Sequence, residues 1–422
     1  MDFSVFLPIL VSGVGLYLLI KLRFFFIFHP IRTGKVMLRT LKDKKSRRSL
    51  SLALAGTLGV GNIFGVTSGI MIGGAGSVFW MLVSSIFSMV IKYAECVLSQ
   101  DMNTSDGGGM HRVIYRSFGK LGSFCAALYA SLCTALALFM GSAMQSSAVA
   151  GVAEAALGAK PLFSAVILSV LLVLGVVRGV GRIEKITAKL IPLTTIFYIF
   201  LTFSIVLVNF REIPRVISDV MTSAFSAPAL RGGICGFLTS NAVREGYARG
   251  ILSNEAGVGT SSFAHTRADK RSAAECGVSG IIEVLFDTVI LCMLTAAAVL
   301  SSSVTLSGNA PMAVVTEAVS TSLSHKFTIP LVLSILVFAY STVICWYYYG
   351  TECVRYLVGK RAATVFSAAF VVFLLIGAIM TARPLVRTID FILLVMCILT
   401  LSAILRQRKR IFFLSRDLIG GK

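Results

Sequence analysis

The chain has 422 residues, of which 56% are hydrophobic and only 14% are charged, whereas soluble domains carry about 25% charged residues. Its mean hydropathy is +0.87. This composition excludes a soluble enzyme, a disulfide-rich secreted domain and a disordered chain, and it predicts a polytopic membrane protein. The apolar runs are continuous and do not alternate with polar residues, which excludes a transmembrane β-barrel as well.

Eleven hydrophobic segments predict membrane-spanning helices, each of which needs about 20 apolar residues. In chain order they are 4–28, 50–72, 77–99, 121–155, 161–178, 186–209, 230–252, 276–301, 329–349, 364–381 and 388–405. None of the nine cysteines forms a Cys-x-x-Cys motif. We therefore expect buried thiols that are neither metal ligands nor disulfide partners, and we expect no cofactor.

The net charge of +20 is unevenly distributed among the loops. If the loop after the first segment is cytoplasmic, that side of the membrane carries 29 lysines and arginines and the other side carries 7. Cytoplasmic loops carry the excess of basic residues, which predicts an external N-terminus and a cytoplasmic C-terminus. The basic excess therefore indicates topology and attraction to anionic lipid, and it excludes nucleic acid as a partner.

The second segment, 50–72, has the composition of a helix that is interrupted inside the membrane. Besides Thr57 and Asn62, it contains the glycines Gly56, Gly59, Gly61, Gly65 and Gly69. Glycine at this density lowers the cost of unwinding a helix, and unwound backbone at membrane depth lines a cavity or is buried in protein. Such a break offers carbonyl groups to a cation and N–H groups to an anion, and would suit a substrate with both an ammonium and a carboxylate group.

The seventh segment, 230–252, is the second candidate for an interrupted helix, because it is too polar to face lipid. Its polar and charged residues include Thr239, Ser240, Asn241, Arg244, Glu245 and Arg249. Interrupted helices at corresponding positions of two halves indicate an inverted-repeat transporter. We therefore predict five-helix repeats at 50–229 and 230–405, with an extra helix and basic loop at 1–49 and a basic cytoplasmic tail at 406–422.

Several motifs extend the interpretation along almost the whole chain. They include GTLGVGNIFGV (56–66), KYAE (92–95), GSAMQSS (141–147), ARGILSNEAGVGTSSFAH (248–265), EVLFDT (283–288) and FAYSTVICWYYYG (338–350). In these motifs and their order the chain resembles the alanine or glycine:cation symporters, the bacterial sodium:alanine symporter family. The resemblance implies an all-α, leucine-transporter-like fold: a 5+5 inverted repeat plus one extra N-terminal helix, with about eleven transmembrane helices.

The same resemblance implies a symporter of the bacterial inner membrane, with no enzymatic activity and no ATPase subunit. It would import a small neutral amino acid, namely alanine, glycine or D-alanine, together with sodium by alternating access. The chain departs from the family pattern at Val60, Ser147 and Glu245, and at GGGMHRV (107–113). These departures leave the expected fold unchanged. They bear on the size of the substrate, the affinity for it and the identity of the coupling ion.

The predicted substrate site combines the break with residues carried over from the family. Backbone N–H groups and side chains at the break would bind the substrate carboxylate, and they belong to Gly56, Thr57, Gly59, Gly61 and Asn62. By resemblance, Gln145 would bind the polar end of the substrate, and Trp346 would form a wall that accepts a methyl group. Asn241 is the predicted contribution of the seventh segment.

The resemblance also implies a sodium site, because in related folds hydroxyls such as those of Ser341 and Thr342 join backbone carbonyls near Gly56. Glu283 and Asp287 lie four residues apart on one face of the eighth segment, and intramembrane carboxylates are functional candidates. They are predicted, with Glu245, to act in coupling or gating.

The loop SNEAG (253–257), which contains Glu255, is predicted to form an inner gate with Arg249. Lys92 and Glu95 are three residues apart and are expected to form an ion pair. Neither His111 nor His265 has the spacing of a metal ligand.

Two alternatives stay open at this point. Transport of the same substrates could be coupled to protons through Glu245, Glu283 or Asp287. The chain could instead be an amino-acid sensor that binds ligand without transporting it.

Overall fold

The computed structural model describes residues 6–104, 108–176, 179–225, 240–267, 272–306, 310–380 and 382–419. Within these ranges the chain forms helices and no strands. The longer helices are α1 (Phe6–Lys21), α2 (Pro30–Lys42), α3 (Lys44–Thr57), α4 (Gly61–Gly73), α5 (Gly76–Asp101), α6 (Met110–Ser117), α7 (Gly119–Leu157), α8 (Pro161–Val176), α9 (Val180–Val208), α10 (Ile213–Ala224), α11 (Asn241–Asn254), α12 (Ala273–Ser301), α13 (Pro311–Ser322), α14 (His325–Val358), α15 (Ala362–Gly377), α16 (Ala382–Arg406) and α17 (Arg408–Leu414).

Many of these helices are apolar enough to cross a membrane. Six of them are long enough by themselves, and α3 with α4 forms a further span that is bent by 46°. Three shorter apolar helices are α1, α8 and α15. The protein is therefore a multi-pass membrane protein. The structure does not complete the predicted count of eleven spans, because the segment 230–252 is described only from residue 240.

The first break lies where the sequence predicts it. Helix α3 ends at Thr57, residues 58–60 are not helical, and α4 begins with a π-helical turn at Gly61–Gly65. Two further π-helical turns occur at Phe139–Met144 in α7 and at Leu285–Cys292 in α12. Wide turns of this kind are frequent at functional sites.

The predicted second broken helix, 230–252, is described only in part, and an interruption that the sequence analysis does not predict follows it. The described half of the segment 230–252 belongs to α11, which runs without interruption to Asn254. The backbone leaves the helix at Glu255, whose φ is 55°, and residues 255–261 are not helical before the short helix Ser262–His265. Residues 226–239, including Thr239, lie outside the described residues. The described interruption of the second repeat is therefore at 255–261.

Close helix contacts explain why α11 is rich in glycine and yet unbroken. A Cβ atom at Gly246 would lie 2.6 Å from the Ser77 carbonyl oxygen, and one at Gly250 would lie 2.5 Å from the Ser84 hydroxyl oxygen. Both neighbours belong to α5, so these glycines allow two backbones to approach each other.

The bundle has two ends, which we name by their residues. The basic end contains α2, α6, α17, residues 266–267 and the connection at 359–361, and the opposite end contains 74–75, 209–212 and 323–325. Arg244 and Arg249 lie in α11, between the break and the opposite end, so they do not belong to the basic side to which the sequence interpretation assigns them. The bias toward the basic end persists without these two residues.

Candidate functional site

The first break is held by α7 and α14. A Cβ atom at Gly59 would lie 2.5 Å from Thr342 Oγ1 and 3.1 Å from Gln145 Oε1, so only glycine fits there. The N–H group of Val60 donates to Gln145 Oε1 at 3.3 Å, and Gln145 Nε2 donates to the Met140 carbonyl at 3.1 Å. The structure thus brings Gln145 against the unwound backbone.

One face of α14 lines the same break. Trp346 Nε1 donates to the Gly56 carbonyl at 3.3 Å. Thr342 lies one turn earlier on this face, and its buried hydroxyl has no hydrogen-bond partner among the described residues. Ser341 is also buried, but its hydroxyl donates to the Val337 carbonyl of its own helix at 2.9 Å. Of the two predicted sodium ligands, Thr342 is therefore the one whose hydroxyl is uncommitted.

Asn62 and Asp287 form the contact between the first broken helix and α12. Asn62 Nδ2 donates to Asp287 Oδ1 at 2.6 Å, while Asn62 Oδ1 is buried without a described partner. The hydroxyls of Ser253 and Thr288 donate to Asp287 Oδ2 at 2.5 and 2.9 Å. Because Ser253 belongs to the end of α11, one buried carboxylate connects both interrupted helices.

The second break is held by charged residues of α5 and α12. Lys92 Nζ donates to the Asn254 carbonyl at 2.7 Å and lies 3.3 Å from Glu283 Oε1. His265 Nε2 lies 2.8 Å from Glu283 Oε2. An ammonium group at the carbonyl end of a helix is a favourable arrangement. Lys92 therefore pairs with Glu283. It does not pair with Glu95, which is the partner that the sequence spacing predicts.

The two remaining glutamates bind the unwound stretch itself. Glu95 Oε1 accepts the N–H group of Gly257 at 2.7 Å, and Glu255 accepts the Thr260 hydroxyl. Tyr129 donates to the Val258 carbonyl at 2.9 Å. The contacts of Glu95 and Tyr129 satisfy backbone groups that a broken helix leaves without intrahelical partners.

Arg249 binds two carboxylates, neither of which is that of Glu255, its partner in the predicted inner gate. Its Nε donates to Glu245 at 3.1 Å, and its Nη2 donates to Asp390 of α16 at 2.7 Å. A Cβ atom at Gly69 would lie 3.0 Å from Arg249 Cγ, which places the arginine beside the half of the broken helix nearer the opposite end.

Asn241 is also remote from the first break. It is exposed at the start of α11, and its carbonyl oxygen would lie 3.0 Å from a Cβ atom at Gly73. Since α11 rises about 1.5 Å per residue, Asn241 lies about 20 Å from Asn254. The structure does not bring Asn241 to the other predicted substrate residues.

Several residues of these clusters are absent from the predicted site, among them Ser253, Thr288, Lys92 and Asp390. The first three lie in motifs that were recognised, SNEAG, EVLFDT and KYAE. Asp390 had a signal of its own, because it is an acidic residue in the apolar segment 388–405.

Comparison with known proteins shows the family to which the chain belongs. The sodium:alanine symporter family matches residues 1–417. The chain belongs to this family. The resemblance inferred from the motifs is thereby confirmed, and the family consists of transporters and not of enzymes.

Two relatives and one solved structure illustrate the similarity. An uncharacterised transporter of Haemophilus influenzae is 31% identical, over 97% of this chain and 92% of its own length. The sodium/alanine symporter AgcS of Methanococcus maripaludis is 28% identical, over 91% of this chain and 87% of its own. The crystal structure of MhsT in complex with L-phenylalanine covers 86% of this chain and 88% of its own, with a TM-score of 0.64 and 15% identity. It shows the shared leucine-transporter-like fold.

Proposed function

We propose that this protein is a secondary active symporter that imports a small neutral amino acid, namely alanine, glycine or D-alanine, together with sodium. The observation that carries the proposal is the pair of buried oxygen atoms without described partners, Thr342 Oγ1 and Asn62 Oδ1, on either side of the Gly59 break. Buried polar atoms are normally hydrogen-bonded. Their lack of partners favours a site for a polar ligand or an ion.

The substrate carboxylate would bind at the beginning of α4, where backbone N–H groups of Gly61 and Asn62 start a half-helix. Gly56, Thr57 and Gly59 would supply carbonyl and hydroxyl groups on the other side of the break, and Gln145 would orient the substrate. Trp346 limits the space above Gly56, and Gly141 gives the indole room because its Cα faces Trp346 Cβ. This geometry favours a hydrogen or methyl side chain over a longer one.

Two sets of oxygen atoms are suited to sodium. Thr342, with the backbone carbonyls near Gly56 and the buried Ser341, gives a neutral set, and hard cations prefer oxygen ligands. Asp287, with Asn62, Ser253 and Thr288, gives a second set that carries a negative charge. Because Asp287 connects both broken helices, an ion there would couple their movements.

Gating would use the two charged clusters at different depths. Arg249, Glu245 and Asp390 would close the external half, and Glu283, with Lys92 and Glu255, would close the cytoplasmic half. The assignment of sides follows the excess of basic residues at the basic end. In this arrangement Glu245 belongs to the external closure.

The test is uptake of radiolabelled alanine into proteoliposomes with and without an inward sodium gradient, at two pH values. We expect accumulation that requires sodium and changes little with a proton gradient. Accumulation driven by protons alone would indicate that Asp287 or Glu283 binds the coupling proton. Saturable binding without accumulation under any gradient would favour the sensor alternative.

Gln145→Ala separates a substrate ligand from a structural residue. We expect this variant to weaken alanine binding about tenfold or more, since a buried hydrogen bond to a charged group contributes about 1.5–3 kcal/mol, while sodium affinity changes less. Equal loss of both affinities would contradict the assigned role. Ser169→Ala, which removes a hydroxyl bonded within α8, is the control.

A further inference from the structure

Helix α2 crosses the basic end of the bundle and is too short to span it. After α1 ends at Lys21, Arg23 and Phe24 have φ values of 55° and 48°, which change the direction of the chain. The 13 residues of α2 then follow. At 1.5 Å per residue they extend about 20 Å, whereas the hydrocarbon core is about 30 Å thick. Eight of its 13 residues are exposed, so the helix lies at the surface of the basic end.

The exposed face of α2 mixes two kinds of side chain. The apolar ones include Ile31, which is 75% exposed, and Leu38, which is 58% exposed. The exposed basic ones are Arg32, Lys35, Arg39 and Lys42. The helix contains no acidic residue, and its buried side chains are Thr33 and Thr40. A stripe of lysine and arginine beside exposed apolar side chains is typical of a helix in a membrane interface.

The charge of this face selects its partner. The helix carries four basic groups and no acidic residue, so its charge complements a negatively charged surface. The apolar side chains beside them can insert among the acyl chains just below the lipid headgroups. We propose that α2 binds the headgroups of anionic phospholipids, and that lipid bound there holds the cytoplasmic half of the first broken helix, α3, in place.

The connection from α2 to α3 is short and well ordered. Asp43 is the single residue between them, and its N–H group donates to the Arg39 carbonyl at 2.9 Å. Its carboxylate accepts the N–H group of Ser46 at 2.7 Å and so caps α3. Helix α2 also packs on α12, which carries Glu283. A lipid that fixes α2 therefore restrains the half-helix that ends at the substrate site. The consequence for transport rests on the proposed function, but lipid binding does not.

The test compares two variants that lose the same charge. In the first, Arg32, Lys35, Arg39 and Lys42 of α2 are replaced by glutamine. In the control, four exposed basic residues elsewhere at the basic end are replaced in the same way, namely Lys185, Lys189, Lys360 and Arg361. Hydrogen–deuterium exchange is measured on the full chain in nanodiscs of phosphatidylcholine, with and without phosphatidylglycerol.

We expect phosphatidylglycerol to slow exchange several-fold in α2 and in the first turns of α3 in the wild type and in the control variant. The α2 variant should not respond. High salt should reduce the effect, because exposed charges are screened. The same loss in both variants, or no response in the wild type, would overturn the proposal, and protection confined to α2 would overturn its link to α3.

Two further arms separate a lipid surface from a phosphate site and test the depth of the helix. Soluble glycerol phosphate added to phosphatidylcholine nanodiscs should give no protection; protection would mean a phosphate site and not a lipid surface. Replacing Ile31 and Leu38 by serine should weaken the response while leaving the four charges in place, and an unchanged response would contradict the interfacial position of the helix. None of these readouts requires substrate or sodium, so a failure here is distinct from a failure of the proposed symport.

Discussion

Gly59 occupies the point where the unwound backbone passes closest to its neighbours. A Cβ atom there would overlap Thr342 Oγ1, whereas a Cβ atom at Gly65 would meet Leu252 at 3.5 Å, an ordinary contact. We therefore expect Gly59→Ala to abolish sodium-dependent alanine uptake, with normal amounts of protein in the membrane. Gly65→Ala should keep most of the activity. Uptake and surface quantification of both variants check this, and normal uptake by Gly59→Ala would contradict the site.

Substitution of Asp287 tests whether the proposed symport is coupled to sodium or to protons. Its two carboxylate oxygens accept from three side chains, including Asn62 and Ser253. Asp287→Asn keeps the shape and removes the charge, so we expect at least a tenfold loss of apparent sodium affinity, because a hard cation loses its anionic ligand. Sodium titration of uptake measures the change, with Glu275→Gln, a half-buried acid on the same helix, as the control. If the proton is the coupling ion, uptake should not depend on the sodium concentration, and Asp287→Asn should instead remove the pH dependence of uptake.

At the scale of elements, the proposed closure of the external half would depend on one contact between α11 and α16. Asp390→Asn removes the partner that Arg249 has on α16, and only Glu245, on its own helix, remains. We expect cysteine labelling at Ile70→Cys, a position that lines the cavity of about 460 Å³ at the opposite end, to become several-fold faster. Asp219→Asn is the matched control, because it breaks an exposed ion pair with Arg215 within one helix, and such pairs contribute about 0–1 kcal/mol. Equal labelling of both variants would contradict the closure.

Helix α6, which lies outside the spanning helices, makes a pH-sensitive contact with the second broken helix. The ring of His111 stacks on Phe263 at a centroid distance of 5.5 Å and lies 4.7 Å from Tyr356. Burial, together with the charge of Arg112, lowers the pKa of His111 from 6.5 to about 4. An undocked His111 regains its ordinary pKa and binds more protons. The contribution of neutral His111 to the stability of docking is therefore fully present above about pH 6.5 and is lost as the pH falls toward 4.

Hydrogen exchange in residues 108–117 should accordingly be faster at pH 5 than at pH 7, after correction for the intrinsic pH dependence of exchange. His111→Phe keeps an aromatic ring without a titrating group, and its corrected rates should not differ between the two pH values. A pH response that persists in His111→Phe would place the titrating group elsewhere.

The first broken helix could be predicted from sequence, whereas the described interruption at 255–261 could not. Around Gly59 the glycine density coincides with the break, because close approach to α14 and unwinding occur at the same place. In α11 the glycines allow close packing against α5, and the helix stays unbroken although it contains several glycines. The signal for the second break is the run Glu255, Gly257 and Gly259, all of which have positive φ. Local composition does not separate the two uses of glycine, since both require only the absence of a side chain.

The charged contacts show the same limit for a different reason. Lys92 and Glu95 are correctly spaced for a pair within one helix, but α12 brings Glu283 to Lys92, and the unwound stretch brings Gly257 to Glu95. Each group thus binds a partner that is distant in the sequence. Helical spacing predicts which residues share a face, but not which of several buried partners a charge satisfies.

At the scale of the whole molecule, the two broken helices meet at Asn62, Asp287 and Ser253, and this junction gives the last prediction. If sodium and alanine stabilise the same closed state, each must raise the affinity for the other by the same factor. Binding of each ligand, measured with and without the other on the purified protein, should give equal factors in the wild type and in Gly65→Ala. In Asn62→Ala the link between α4 and α12 is lost, so the factor should fall toward one in both directions. A large factor retained in Asn62→Ala would mean that coupling passes through Thr342 and α14 and not through the junction.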